Sequence, residues 1–453
     1  MVIRREPNEQ LAAVIAEAGC TYEVLAKQVR VVAAEAGEAL HTSRSAVFSW
    51  VNGGIPTGRT RSYVAEALSR LAKRKVTVGE IALGSDEMPE PMSADPLAAA
   101  ADLGRFAMLH RRDFLTTTFA AAAVGLPVSY DHGAVAVTLR AATGDGVVGT
   151  GEVSSIRQLT ETFRSADDRL GGGHGLTAVT AYFTDTVIPL LSRRFPTEQV
   201  RLDAYGAAAT LACLAGWKHH DLGREGAAQR FYLLGYQLAC ESDPAGHPAW
   251  MMRALTHQAL DLRQSRHCVD LAEAALSRAR GKVDGSTEAL LLVTAARAYG
   301  AGGEGAKAAS ALLSAEDAML GTDDAVPSYA AASGPVAATV ASHTAKTLTE
   351  LRDHRAAERY YRLALRDRVP ETYQRVHALT MANLAKSVAA QRRHEEALSL
   401  WNRSLDFMAG VASDRNRKEI TTMRSMMVGY RKRGIPGAGE VDQRAADMLR
   451  AMA

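Results

Sequence analysis

Apolar and small residues recur at helical spacing along most of the chain, and over 205–408 the pattern repeats five times. Each unit carries a small residue with a second apolar residue four positions on: Ala228/Tyr232, Cys268/Ala272, Ala308/Leu312, Ala357/Tyr361 and Ala397/Trp401. Successive anchors lie 40, 40, 49 and 40 residues apart, and twelve residues before each stands Gly216, Thr256, Ala296, Ala345 or Ala385. Two helices per unit fit this spacing. Stacking five such pairs buries a continuous core that no pair could bury alone.

The internal spacing resembles the tetratricopeptide repeat, whose usual length is about 34 residues. The longer period here predicts extra residues between one pair and the next, most of all before the fourth. With the helical patterns elsewhere, the fold class is all-α: an N-terminal helix-turn-helix domain followed by a tetratricopeptide-like α-solenoid. The expected boundaries are 1–83 for the first domain, 84–100 for a linker, 101–200 for a helical connecting region, 201–410 for the array and 411–453 for capping helices.

In the first eighty residues, Asn8 can cap a helix through Leu11, Val14 and Ile15 that stops at Gly19. Thr21 opens a second, with Val24, Leu25, Val29 and Val32 as its apolar positions. Ser43 caps a third, closed by Gly53 and Gly54, in which Ala46, Val47 and Trp50 turn inward. Arg44, Ser45, Phe48, Ser49 and Asn52 then face outward. Arg suits guanine, Asn suits adenine, and Ser can hold phosphate, so this face suits a major groove. Arg59, Arg61 and Lys73 follow as candidate phosphate contacts. Net charge over the whole chain is only +3, so bulk charge does not itself point to nucleic acid.

The segment 42–53 resembles the recognition helix of Xre-type helix-turn-helix repressors. Its continuation through Ile55-Pro56, Val64 to Leu71 and Val76 to Ile81 resembles actinobacterial regulators that join such a domain to tetratricopeptide repeats, a group that includes repressors of sporulation and antibiotic production. Asp168-Arg169-Leu170 before three glycines and His174, then Val187-Ile188-Pro189-Leu190-Leu191, extend the resemblance. It implies double-stranded DNA as a partner, a homodimer and a cytoplasmic regulator. One departure is the stretch of about ten residues, 31–40, between the second and third helices, which predicts a lengthened second helix.

Residues 84–96 are acidic and Pro-rich, as a linker is. Arg111-Arg112 followed by an apolar stretch imitates a twin-arginine export signal, but it lies behind a folded domain and reads better as an Ala-rich buried helix. A loop is expected over 131–151 with a short strand in 134–139, then a helix over 152–170 and a turn at 171–175. No apolar run reaches the ~18 residues of a membrane span.

Little in the sequence suggests catalysis. H-E-x-x-H, G-x-S-x-G, Walker and strand-borne G-x-G-x-x-G motifs are all missing, and four scattered cysteines offer neither a disulfide framework nor a metal site. No cofactor is expected. Asp167-Asp168 and Asp323-Asp324 read as caps or solvated residues. Binding is the better expectation. Overlaying the repeats puts Trp217, His257, Arg297, Lys346 and Lys386 in one column of the first helices, with Arg253, His343 and Asn383 alongside. Such a wall suits an acidic peptide, an anionic small molecule or a partner protein. Ile420, Met423, Met426 and Met427 in the tail suit a cap on the array or a protomer contact. Two rival readings are an interaction scaffold whose first domain docks protein, and an exported helical binding protein.

Overall fold

A computed structural model describes residues 7–35, 38, 40–57, 59–72, 74, 76–83, 95–99, 103, 147–320 and 326–452. Among them every regular element is helical, and the β pairing is one isolated bridge between Val147 and Arg194. Lys73, the linker from 84 to 94, the paired arginines at 111–112, the expected strand at 134–139 and Asp323-Asp324 fall outside them. No described helix is long and apolar enough to cross a membrane.

Four helices build the first unit: α1 (Glu9–Glu17), α2 (Tyr22–Glu35), α3 (Arg44–Val51) and α4 (Thr60–Ala72). Leu11, Leu25, Val29, Val47, Trp50, Tyr63, Leu68 and Ile81 share one core, and burying each aliphatic side chain among them is worth roughly 1.5–3 kcal/mol. Asn8 does more than cap α1. Its side chain accepts from Leu11 N at 2.9 Å and donates to Ile81 O at 2.8 Å, tying the chain's start to the end of the unit. The second helix is lengthened, as its spacing predicts, and runs on to Glu35.

Beyond the linker, α5 (Thr150–Leu170) leads to α6 (Leu176–Ala181), a π-helical turn (Tyr182–Val187) and α7 (Ile188–Leu191). Five antiparallel pairs follow: α8 (Glu198–Asp221) with α9 (Glu225–Ser242), α10 (Gly246–Asp261) with α11 (Ser265–Ala279), α12 (Gly285–Ala301) with α13 (Gly305–Ala318), α14 (Val336–Glu350) with α15 (His354–Arg366), and α16 (Gln374–Ala390) with α17 (His394–Met408). The small positions have a steric reason. A Cβ on Gly216 would sit 2.7 Å from the ring of Tyr232, the large anchor of the facing helix. Each pair reverses at one equivalent residue in the left-handed region: Gly223, Arg263, Gly303, Arg352 and Arg392, with φ of 69°, 56°, 81°, 66° and 63°.

The surplus repeat length is not all between the pairs, contrary to expectation. The connectors 243–245, 280–284 and 367–373 are short and the helices themselves are long, 24 residues in α8. Only the connector 319–335 is extended; it contains a 3₁₀ turn, Ala331–Ser333. Helices α18 (Asp414–Lys432) and α19 (Ala438–Ala451) finish the chain, with Ile420, Met423 and Met427 buried against α17 and Tyr430.

The array curls until its last pair meets its front, where α5 packs against both α8 and α16. Asp167 and Asp168 are therefore not solvated caps. Asp167 is 2% exposed and receives Arg375 of α16 at 2.7 Å and Lys218 of α8 at 3.3 Å. Arg375 also pairs with the buried Asp221 at 3.2 Å, and Ser413 donates to Asp221 at 2.9 Å. The glycine turn makes the approach close enough: a Cβ on Gly171 would lie 2.6 Å from Ala412 O, and one on Gly172 2.7 Å from Lys218 O. Removing one partner of a buried pair strands the other, at a cost of roughly 3–5 kcal/mol. Arg375→Ala is expected to lose about that much in a denaturant titration; a loss under about 1 kcal/mol would show that these charges do not hold the closure.

Candidate functional site

Closure encloses a cavity of about 320 Å³ inside the curl. Four members of the sequence column, Trp217, His257, Arg297 and Lys346, line it from α8, α10, α12 and α14, together with Arg253, His343 and Asn383. The fifth, Lys386, is not on its wall. It is turned to Glu419 of α18 at 2.5 Å, which completes the array's end. Helix α5, which the repeat overlay does not include, supplies Arg157, Thr160 and Arg164. The extended connector supplies the cover, Ser328 to Ser333, of which Tyr329 stacks on His247 with ring centres 4.8 Å apart. Gly246 makes room for it, since a Cβ there would lie 2.2 Å from Tyr329 Oη.

The polar wall is dominated by cations. Arg297 donates from Nη1 to Nδ1 of His257 at 3.0 Å and faces Nδ1 of His343 at 3.4 Å. Both imidazoles therefore act as neutral acceptors toward it, and burial followed by the neighbouring cations holds both well below the ordinary histidine range. Arg253 lies over the Trp250 ring at 4.4 Å and donates to Leu290 O at 3.3 Å. Burial, with Arg297 beside it, pushes Arg253 down to about 9. Arg368 donates to Thr339 Oγ1 at 2.8 Å, and burial pushes it down to about 10; its Nη1 is buried with no hydrogen-bond partner. Burial, then Arg297 and Arg415, depress the Lys346 ammonium well below its usual range.

Among the described residues, Arg253, Arg297, Lys346 and Arg368 make no ion pair with a carboxylate, whereas the carboxylates of the wall are spoken for. Asp168 pairs with Arg164 at 2.7 Å, and Asp261 with Arg415 at 3.4 Å and His220 at 3.1 Å. The rest of the wall is apolar, including Ala207, Leu214, Ala254, Val376 and Leu379. Cys213 also lines it; burial pushes its thiol up to about 12, so it stays protonated at neutral pH. The arrangement offers positive charge and apolar surface to a guest, which is the chemistry of binding. His220, Asp168 and Arg368 escape a repeat overlay because nothing periodic marks them.

In the first unit, Arg44, Ser45, Phe48, Ser49 and Asn52 are all exposed on the outer face of α3 and its C-terminus, while Val47 and Trp50 are buried. Ser43 caps α3 by accepting from Ala46 N at 3.4 Å, and Asn52 donates to Phe48 O at 2.8 Å. Gly54 is required where the chain leaves the helix, as a Cβ would meet Ser49 O at 2.7 Å. Two expected phosphate contacts are engaged within the unit. Arg59 pairs with Glu38 at 3.2 Å, and Arg61 donates to Pro56 O at 3.0 Å.

Residues 11–84 match the family model described as the SP15 N-terminal domain, which spans this four-helix unit. No curated protein matches the chain.

The network beneath the cavity has a pH signature. Burial alone would lower His220, but Glu225 at 2.8 Å and Asp261 outweigh it and push the imidazole up to about 9. A folded value above the unfolded value of 6.5 means stability that is complete below pH 6.5 and lost as pH rises through about 9. His220→Gln is expected to remove this contribution, of order 3 kcal/mol. The wild-type advantage over the variant in urea denaturation should therefore shrink from pH 6.5 to 9; an advantage constant with pH would contradict the charged imidazolium.

Proposed function

We propose that this chain is a DNA-binding transcriptional regulator, in which residues 1–83 read operator DNA and the repeat array senses a guest held in its cavity. The observation that carries the DNA reading is the outer face of α3. Arg, Ser and Asn stand together on a short helix capped at its start, with Val47 and Trp50 buried behind them. Those residue types at a helix face are the ones that contact base edges in a major groove. The likeness of 42–81 to actinobacterial regulators with a helix-turn-helix and tetratricopeptide repeats supports the same reading, and with it a cytoplasmic homodimer on paired half-sites.

The sensing half rests on the cavity. A guest that touches α10, α12 and α14 from inside one enclosure biases the curvature of the array if it binds two curvatures with different affinity. Such a difference, transmitted to protomer spacing, would alter operator affinity.

A protein-docking role for the first unit is the second reading, favoured by Phe48 and Ile55, which stand 58% and 61% exposed. Footprinting on genomic fragments separates the two. On the regulator reading, a protected site appears and affinity falls steeply with salt. Arg44→Ala and Asn52→Ala each weaken specific binding by about 1–3 kcal/mol without lowering the melting temperature. No protected site and no salt-dependent affinity would leave the docking reading in its place.

A further inference from the structure

The cavity is an unusual place to leave positive charge. Arg253, Arg297, Lys346 and Arg368 have no carboxylate partner among the described residues, and they repel one another: Arg253 feels Arg297, and Lys346 feels both Arg297 and Arg368. Asp261 attracts Arg297 and Lys346, and Asp168 attracts Arg368, but without a direct ion pair, and burial outweighs both. A buried charge without a counter-charge destabilises a fold, and replacing it by an apolar side chain of similar size commonly stabilises it. An excess of buried positive charge around this cavity therefore points to a guest that brings further negative charge.

Size and wall chemistry narrow the guest. About 320 Å³ is at the small end of organic-ligand pockets. One side of the enclosure is cationic, and Leu214, Val376, Leu379 and the faces of Trp250 and Tyr329 are apolar. Resting on the reading of this cavity as the sensing site, we propose that its guest is a small amphipathic dianion, an apolar ring or short chain bearing two carboxylate- or phosphate-type charges. One charge sits on Arg297, Lys346 and Arg253, which converge from successive first helices. The second sits toward Arg368, whose Nη1 is buried without a partner and whose Nη2 is held by Thr339. A single negative charge would meet only one of these two cationic groups, and a neutral guest neither.

The test uses the full chain without DNA and three matched probes: a naphthalene dicarboxylate, a naphthoate and a naphthyl methanol, with an acidic hexapeptide as a fourth. Isothermal titration should rank the dicarboxylate first, the naphthoate weaker and the alcohol weakest. Lys346→Met and Arg368→Met should each weaken the dicarboxylate roughly tenfold or more while leaving the alcohol unchanged. The same variants, with no probe present, should melt no lower than wild type, because each removes an unpaired charge. A purely structural role for these side chains predicts the reverse. Equal affinity for alcohol and dicarboxylate, dicarboxylate binding indifferent to both substitutions, preference for the peptide, or a variant that melts lower and still binds would each overturn the inference. Loss of DNA binding is a separate result. A chain that binds the dicarboxylate but no operator would sink the regulator reading and leave this one standing.

Discussion

The meeting of Asp167 with Arg375 is the constraint from which the rest of the large unit follows. These residues come from helices far apart in sequence, and Lys218, Asp221 and Ser413 complete the contact inside a site closed to solvent. Desolvating so many charges is worthwhile only when each finds an opposite within reach, so the geometry is demanding. The glycine turn at 171–175 meets that demand by letting backbone approach backbone. A stack of repeats, which alone could open and tighten like a spring, is thereby biased toward the closed curvature.

The closed curvature converts a groove into an enclosure. Open tetratricopeptide arrays offer an extended trough, and the column on the first helices suggests such a trough. Here α5 stands across its mouth and residues 328–333 lie over it, so the same column lines a small interior instead. Within that interior Asp261 is committed to Arg415 and His220, leaving an excess of positive charge on the wall. Closure and binding thus draw on neighbouring residues: Asp168 borders the cavity and also meets Arg375, and Arg415 borders it and attracts Asp221.

Much of this was legible in the sequence, for reasons that can be named. Helix pairs announce themselves because Gly216 must sit against Tyr232 and because the anchors recur at nearly constant spacing. Ser43 and Asn8 announce helix starts because only short polar side chains reach the first free amides. Arg297, His257 and Lys346 fall together because a repeat carries equivalent positions to equivalent places. Contacts between unlike elements are what the pattern could not carry. Asp167 next to Asp168 looks like a solvated end of α5 until α16 is brought over it. Lys386 occupies the same repeat position as Lys346, yet it meets Glu419 because the last repeat has a capping helix where the others have another repeat. Arg59 and Arg61 read as phosphate contacts from charge alone, and the unit's own loop and Glu38 engage them.

Repeat proteins commonly lengthen or shorten by copying or losing a unit, since each unit touches only its neighbours. That freedom is closed to this chain. Five pairs bring α16 onto α5; a sixth pair would carry Arg375 past Asp167, and four would leave it short. Either change would strand buried charge at both ends of the curl. The number of repeats is thus tied to one buried ionic network, whereas side chains on the walls and the connector that covers them can change without disturbing it.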